Sequence, residues 1–255
     1  MKIVIIGTGN VATVLGKLII SKGHQVIEVV GRNQKNTNAL AKILNATGNV
    51  NFENITEEGD IYMIAVVDTA IEIVANKLFL KNKLIVHTAG SVSINVLNKL
   101  ENRYGVLWPL QTLRKEMQAI PEIPFVIDAN NEATYATLLN FTKTITDTVF
   151  RANDARRVKL HLAAVVVSNL TNHLYTLADD YCQKESLEFK LLVPLIEETG
   201  KRIKSNAPSN VQTGPAARKD EGTINSHISL LKGYPTLQKI YQLISESIKT
   251  GNLRK

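Results

Sequence analysis

The chain has 255 residues, is 44% hydrophobic and carries a formal net charge of +7. That length and apolar content fit one large globular domain or two modest ones and exclude a disordered polymer, while a single cysteine, Cys182, excludes an internal disulfide and a cysteine zinc site; no metal is expected. The charge is uneven: residues 1–200 hold 20 Lys/Arg against 20 Asp/Glu and residues 201–255 hold 10 against 3, but without a basic run or interleaved aromatics the excess suits a small anion or a solvated face better than nucleic acid.

Lys2–Ile6 (KIVII) is a short β-branched strand. The apolar run Ile3–Ile6 is cut off by Gly7-Thr8-Gly9-Asn10, too early for a signal peptide, and no later stretch reaches the roughly 18 apolar residues of a membrane span. A soluble, cytoplasmic protein that meets no membrane is expected. Val11–Lys22 sets Val11, Val14, Leu15, Leu18 and Ile19 on one helical face, and Gly23 ends it. His24–Val30 reads as a strand, 34–45 as a helix, Asp60–Val67 as a buried strand, Asp68–Leu78 as a helix, Lys83–Ala89 as a strand and 93–102 as a helix. Tyr104–Leu107 and Pro124–Ile127 are further short strands. Strands alternating with helices predict an α/β, Rossmann-type, mostly parallel sheet covered on both faces, with ligands at the carboxyl ends of its strands.

The pattern changes near residue 152. Arg151–Gln183 has no strand break and reads as one long helix, capped by Asn153 or Asp154. Leu187–Ser205 and Pro235–Thr250 are also helical in pattern, with a Pro-, Gly- and Asn-rich loop over 206–223 between them. The division expected is a dinucleotide-binding domain over 1–152 and an all-α domain, for substrate and dimerisation, over 153–255.

Gly7-x-Gly9-x-x-Ala12 joins the first strand to the first helix. Gly7 permits a tight turn, Gly9 lets a pyrophosphate approach the backbone, and Ala12 allows close packing of helix on strand; the helix N-terminus adds free N–H groups and the positive end of its dipole. The motif alone also fits a turn without a ligand, but strand–turn–helix context favours a dinucleotide, with Thr8, Asn10 and Val11 beside it. An NAD site places a carboxylate at the end of the second strand. Glu28 stands too early for that role, whereas Arg32 suits a 2′-phosphate and Asn33 adds a donor, so NADP is favoured over NAD. Val66, Val67 and Asp68, then Thr88, Ala89 and Gly90, follow later strands and are assigned to the same cofactor. Ser91 and Gln111 lie at strand ends on the same edge and are assigned to a small-molecule substrate. Each also fits an ordinary turn.

On the long helix, at 100° per residue, Ser168, Asn172, Tyr175 and Asp179 fall within about 40° of His161, with Asn169 at about 80°. Leu162, Ala163, Val166, Val167, Leu170, Leu174 and Leu177 make a broad apolar face on the other side. The polar row fits a solvent face or a helix interface. It also fits a catalytic edge, with His161 as general acid and Asn169 or Asn172 orienting a carbonyl or hydroxyl. In the loop Gln212–Asp220, Gly214-Pro215 fixes a turn, Thr213 offers a hydroxyl and Arg218 a fork for a carboxylate. Asp220 holds Arg218 or caps the helix that follows.

GTGNVA, IAVVD, VHTAGS, WPLQTL, the H-x-A-A-V-x-V-S-N helix and TGPAARKD together resemble proteins that join a Rossmann-like domain to domain of unknown function 2520. These are similar to the wider 6-phosphogluconate dehydrogenase-like superfamily, which includes pyrroline-5-carboxylate reductase. The resemblance spans nearly the whole chain. It implies oxidoreductase chemistry but no particular substrate, and often a dimer whose helical domains complete the cleft; a homodimer is expected. Two departures stand out. The β-hydroxyacid dehydrogenase branch uses a Lys-x-x-x-Asn pair, but here Lys159 is followed four residues later by Ala163, so no lysine acid is carried over. Lys219 also stands where relatives are expected to have Gly. The function expected is hydride transfer between nicotinamide and a small, anionic carbonyl, imine, hydroxy or amino compound. The alternative is a non-catalytic NADP-binding sensor or partner-binding protein.

Overall fold

The computed structural model describes residues 1–99 and 103–251; 100–102, the end of the helix expected over 93–102, lie outside them. Strand β1 (Lys2–Ile6) is buried on both faces. Its alternation sends Ile3 and Ile5 into one core layer and Val4 and Ile6 into the other. Among the described residues one eight-stranded sheet forms, from β1, β2 (Gln25–Val30), β3 (Thr47–Asn49), β4 (Ile61–Ile64), β5 (Leu84–His87), β6 (Arg103–Pro109), β7 (Phe125–Ala129) and β8 (Val149–Arg151). Its order is β3-β2-β1-β4-β5-β6-β7-β8, with every neighbouring pair parallel except β6 and β7.

Helices cover both faces, as near-continuous apolar parallel strands require. The Ile3/Ile5 layer receives Leu15 and Ile19 of α1 (Asn10–Ser21), Leu40 and Leu44 of α2 (Gln34–Leu44), and Leu138 and Phe141 of a helix unread in the sequence, α4 (Glu132–Ile145). The Val4/Ile6 layer receives Ile71 and Val74 of the short α3 (Ile71–Ala75), which follows a 3-10 turn at Asp68–Ala70. Over 93–102 the described residues form one 3-10 turn, Ile94–Leu97. Its β-branched and Asn-rich sequence disfavours a longer helix.

The long helix read as one piece runs as α5 (Asp154–Val165), a π-helical turn at Val166–Leu170 and α6 (Thr171–Lys184). Three consecutive valines followed by Ser168 and Asn169 combine poor helix formers with side chains that compete for backbone hydrogen bonds. A π turn absorbs an extra residue. The 100° step therefore holds within α5 and within α6 but not through the turn, and the polar row counted from His161 is broken before Ser168.

Two compact units result, Met1–Ser168 and Asn169–Lys255. They part later than the 152/153 boundary read from the pattern because α5 is anchored to the sheet unit: Leu160 packs against the cluster of Val106, Trp108, Val126 and Ala152. The second unit contains α6, α7 (Val193–Arg202), α8 (Glu221–Leu230) and α9 (Pro235–Thr250). Among its described residues the buried hydrophobic side chains are Cys182, Ala216, Ile224 and Leu231, while Leu187, Leu191, Leu195, Ile203, Leu230 and Leu243 are each more than half exposed. No helix among the described residues is long and apolar enough to cross a membrane.

Candidate functional site

The chain leaves β1 for β2 on one side and later places β4 on the other, so the switch point of the sheet lies between β1 and β4, where doubly wound folds open a crevice. A cavity of about 480 Å³ lies there. It is lined by Gly7, Thr8, Gly9, Asn10 and Val11 after β1, by Arg32 after β2 and by Val66 and Val67 after β4, all expected from the sequence. Phe52, Ile73 and Lys77 line it as well and were missed, because nothing local marks a residue in an irregular segment or on the far end of a short helix as a cavity wall. Ala12, Asn33, Asp68, Thr88, Ala89 and Gly90 are not among its walls.

The glycine loop is built as the motif demands. Gly7 has φ +133°, and a Cβ there would stand 2.1 Å from the Ala65 carbonyl oxygen, so only glycine lets β1 turn beside β4. A Cβ on Gly9 would meet nothing within 4 Å, leaving room for a ligand against the backbone. No side chain caps α1, whose N-cap is Gly9, and its first N–H groups point at that room. Ala12 is fully buried and packs the helix on the sheet. The Asn10 Oδ1 accepts from the Lys115 N–H (3.2 Å), tying the loop after β6 to the start of α1. Asn33 Oδ1 caps α2, accepting from the Asn36 N–H at 3.0 Å, so any donor role falls to its amide nitrogen. Glu28 is buried, accepting from Asn49 Nδ2 (2.8 Å) and the Thr56 N–H (2.9 Å). Among the described residues the cavity walls carry two cations, Arg32 and Lys77, and no carboxylate. The residues present fit a phosphorylated dinucleotide.

A separate cluster forms around His161. Its ring lies 5.7 Å, centroid to centroid, from that of Trp108. Gly90 passes beneath both: a Cβ there would come within 2.5 Å of the Trp108 ring and 2.8 Å of the His161 ring. The Thr112 and Ser168 hydroxyls meet at 2.7 Å, fixing the loop after β6 to the end of this helix segment. Ser91 donates its hydroxyl to Asp68, and Gln111 is exposed, its Oε1 accepting from the Thr112 N–H at 3.0 Å. Thr88 turns inward, its hydroxyl donating to the Ile64 carbonyl at 3.3 Å. His87, one residue earlier, is fully buried; burial, then the positive charge of Arg157, pushes its pKa down to about 4. Its Nδ1 accepts from the Ala89 N–H at 3.2 Å, which leaves the proton on Nε2.

In the second unit, Asn169 lies within the π turn and Asn172 on α6, both exposed. Thr213 lines a smaller cavity with Leu174, Pro215, Ile240 and Ile244, and Arg218 is exposed. Asp220 caps α8, accepting from the N–H and hydroxyl of Thr223 at 3.0 and 2.7 Å. Those two bonds, in that order, hold its carboxyl below the usual carboxylate range, with Arg218 a smaller contributor.

Comparison with known proteins agrees with this geometry. Residues 2–91 match the family model described as NADP oxidoreductase coenzyme F420-dependent, and residues 123–248 match domain of unknown function 2520. A candidate NADP oxidoreductase from Bacteroides fragilis, known as a crystal structure, is 36% identical with a TM-score of 0.90 over 98% of each chain. A reductive aminase from Aspergillus terreus, solved with NADPH and ethyl levulinate, shares the fold at 15% identity and a TM-score of 0.74, over 98% of this chain and 94% of its own. Among curated proteins, a cytosolic pyruvate kinase from Glycine max is 29% identical over 89 residues, 34% of this chain, and the chain spans only 17% of its length. With 36% identity along nearly its whole length to the Bacteroides protein, the chain belongs to the family of NADP oxidoreductases that couple a Rossmann-type nucleotide domain to domain of unknown function 2520.

Proposed function

We propose that the protein is an NADP-dependent oxidoreductase that moves a hydride between nicotinamide and a small, anionic carbonyl, imine, hydroxy or amino compound. The observation that carries this reading is the switch-point cavity, where a glycine loop and an uncapped helix N-terminus face two cations and no carboxylate. Residues 1–152 hold the dinucleotide. Residues 153–255 serve substrate and dimerisation. When bound, NADPH supplies the hydride. The backbone of Gly7–Val11 takes the pyrophosphate, and Arg32, with Lys77 of the same cavity, takes the 2′-phosphate through charge-assisted hydrogen bonds. NAD would leave those cations without their partner. His161 gives or takes the proton that accompanies hydride transfer, and its place against Trp108 and Gly90 keeps the ring in one orientation. Asn169 orients the reacting group. Ser91, Gln111, Asn172, Thr213 and Arg218 recognise the substrate, the Arg218 guanidinium donating to a carboxylate of the substrate.

Titration with NADPH and NADH tests the reading. NADPH is expected to bind tightly, and Arg32→Ala or Lys77→Ala to weaken it roughly tenfold or more, the worth of one charge-assisted hydrogen bond, while NADH binding barely changes. Failure of both nucleotides to bind would end the proposal. Binding without turnover on any carbonyl or imine, together with a cofactor-dependent change in assembly, would favour the sensor reading, to which the missing lysine lends support.

A further inference from the structure

The start of α5 carries an ionic clamp, with Arg157 buried and Asp154 half-buried, that the reaction scheme above does not use. Asn153 already caps the helix, its side chain accepting from the Arg156 N–H at 3.1 Å, which releases Asp154 for another task. Asp154 accepts from the Ser93 hydroxyl and, at 3.2 Å, from the Ile94 N–H. Arg157 is fully buried, and its Nη2 donates to the Val92 carbonyl at 2.5 Å and to Asp154 Oδ1 at 2.7 Å. Three consecutive residues of the loop that follows Gly90 are thus fastened to the first turn of the helix that bears His161.

Stability alone does not account for this pair. Replacing a buried ion pair by apolar groups of similar volume is commonly neutral or stabilising. Here the guanidinium Nε and Nη1, both buried, also make no hydrogen bond, and each unmet donor is costly. Nor can Arg157 touch a substrate or cofactor, since it is sealed from solvent. What it does fix is geometry. Arg157 and His161 are one turn apart on the same helix face, and Gly90, immediately upstream of the clamped loop, is the residue over which the His161 and Trp108 rings close. A slip of α5 by one residue against that loop would swing the imidazole by about 100°.

We propose that Asp154 and Arg157 are positioning residues that set the His161 ring against Trp108 and Gly90. The inference rests on the reading of His161 as the proton-carrying group. From packed elements, neutral His87 at the end of β5 feels the charges of both Arg157 and Asp154, and the carboxylate of Asp68 after β4 acts in turn on His87. The ion pair lies within α5, and its two charged ends hold residues 92–94 by charge-assisted hydrogen bonds.

The test uses the full chain with labelled histidine, following the His161 ring protons by NMR beside NADPH titration and a pH–rate profile. In the wild-type protein the Trp108 ring current displaces the His161 signals. In Arg157→Lys and Asp154→Asn that displacement is expected to shrink. NADPH affinity should hold, and kcat should fall about tenfold or more with KM for NADPH unchanged. Folded variants with the wild-type His161 spectrum would overturn the proposal. If both variants fail to fold, Ser93→Ala, which removes one hydroxyl donor to Asp154, decides by the same signals: a partial shift supports the clamp and an unmoved spectrum refutes it. Failure of the parent reading looks different: His161→Ala would keep full turnover, or no substrate would turn over, while the ring-current response to the clamp variants persisted.

Discussion

His87 illustrates how one buried side chain sets a pH dependence. In the fold its pKa is about 4, against 6.5 as a free group, because burial and then Arg157 oppose its charge. Between those values the unfolded chain holds a proton that the folded chain does not, so stability must fall as pH drops from about 6.5 towards 4, by on the order of 3 kcal/mol across the window. Asp154 acts in a separate window. Burial works to raise its pKa, but hydrogen bonds from Ser93, Ile94 and Arg157 outweigh it and hold the carboxyl below 3.8; its contribution is complete above that value and is lost only as pH falls below it. Urea midpoints measured from pH 7 to 4 should show the His87 decline, and His87→Asn, which keeps an acceptor for the Ala89 N–H, should flatten the slope while lowering the absolute stability. An unchanged slope in that variant would assign the decline to another group.

At the scale of an element, the turn before α8 shows a residue at odds with its backbone. Lys219 adopts φ +55°, a left-handed conformation that costs an L-residue roughly 1–2 kcal/mol and that glycine takes without strain. The resemblance had placed glycine at this position, and the backbone supplies the reason. Lys219→Gly is expected to stabilise the protein by about 1 kcal/mol, less any entropy lost by glycine, and to raise Tm by a few degrees; a lower Tm would mean that the lysine side chain makes up for the strain. Other elements show where local signals suffice. Val14, Leu15, Leu18 and Ile19 marked α1 through their spacing, and all four are buried. The helix α4 carried comparable signals, an Asn131 cap and Leu138, Phe141 and Ile145 on one face, yet was passed over amid Thr- and Asn-rich sequence. The π turn was beyond reach, since a wheel of fixed pitch contains no place for an extra residue.

For the whole molecule, the second unit buries few hydrophobic side chains and exposes many. Its uncovered leucines lie on α7, α8 and α9 and on the segment that follows α6. On the segment leading into this unit, Leu162, Val166, Val167 and Leu170 are also about half exposed or more, although the sequence marks them as an apolar face. Apolar surface on this scale is what an interaction site presents, and under the proposed reading a second copy of the chain covers it. Sedimentation should therefore give twice the 28.2 kDa chain mass, and Leu191→Glu or Leu230→Glu should drive it towards monomer by burying a charge in the contact. A wild-type protein that stays monomeric at micromolar concentration would refute the homodimer.

What the sequence determined by itself was the alternation of strands and helices, and with it a Rossmann-type sheet, the glycine loop at its first turn and the change to helix past residue 152. Those features are written in neighbouring residues, in periods of two and 3.6 and in the few side chains a tight turn admits. Only the tertiary structure decided that Phe52 and Lys77 join Arg32 around one cavity, that Gly90 lies under both Trp108 and His161, and that Arg157 reaches the Val92 carbonyl 65 positions away. Pairings of that kind depend on strand order and on where α5 docks, and these follow from the packing of the whole core, not from any single stretch of chain.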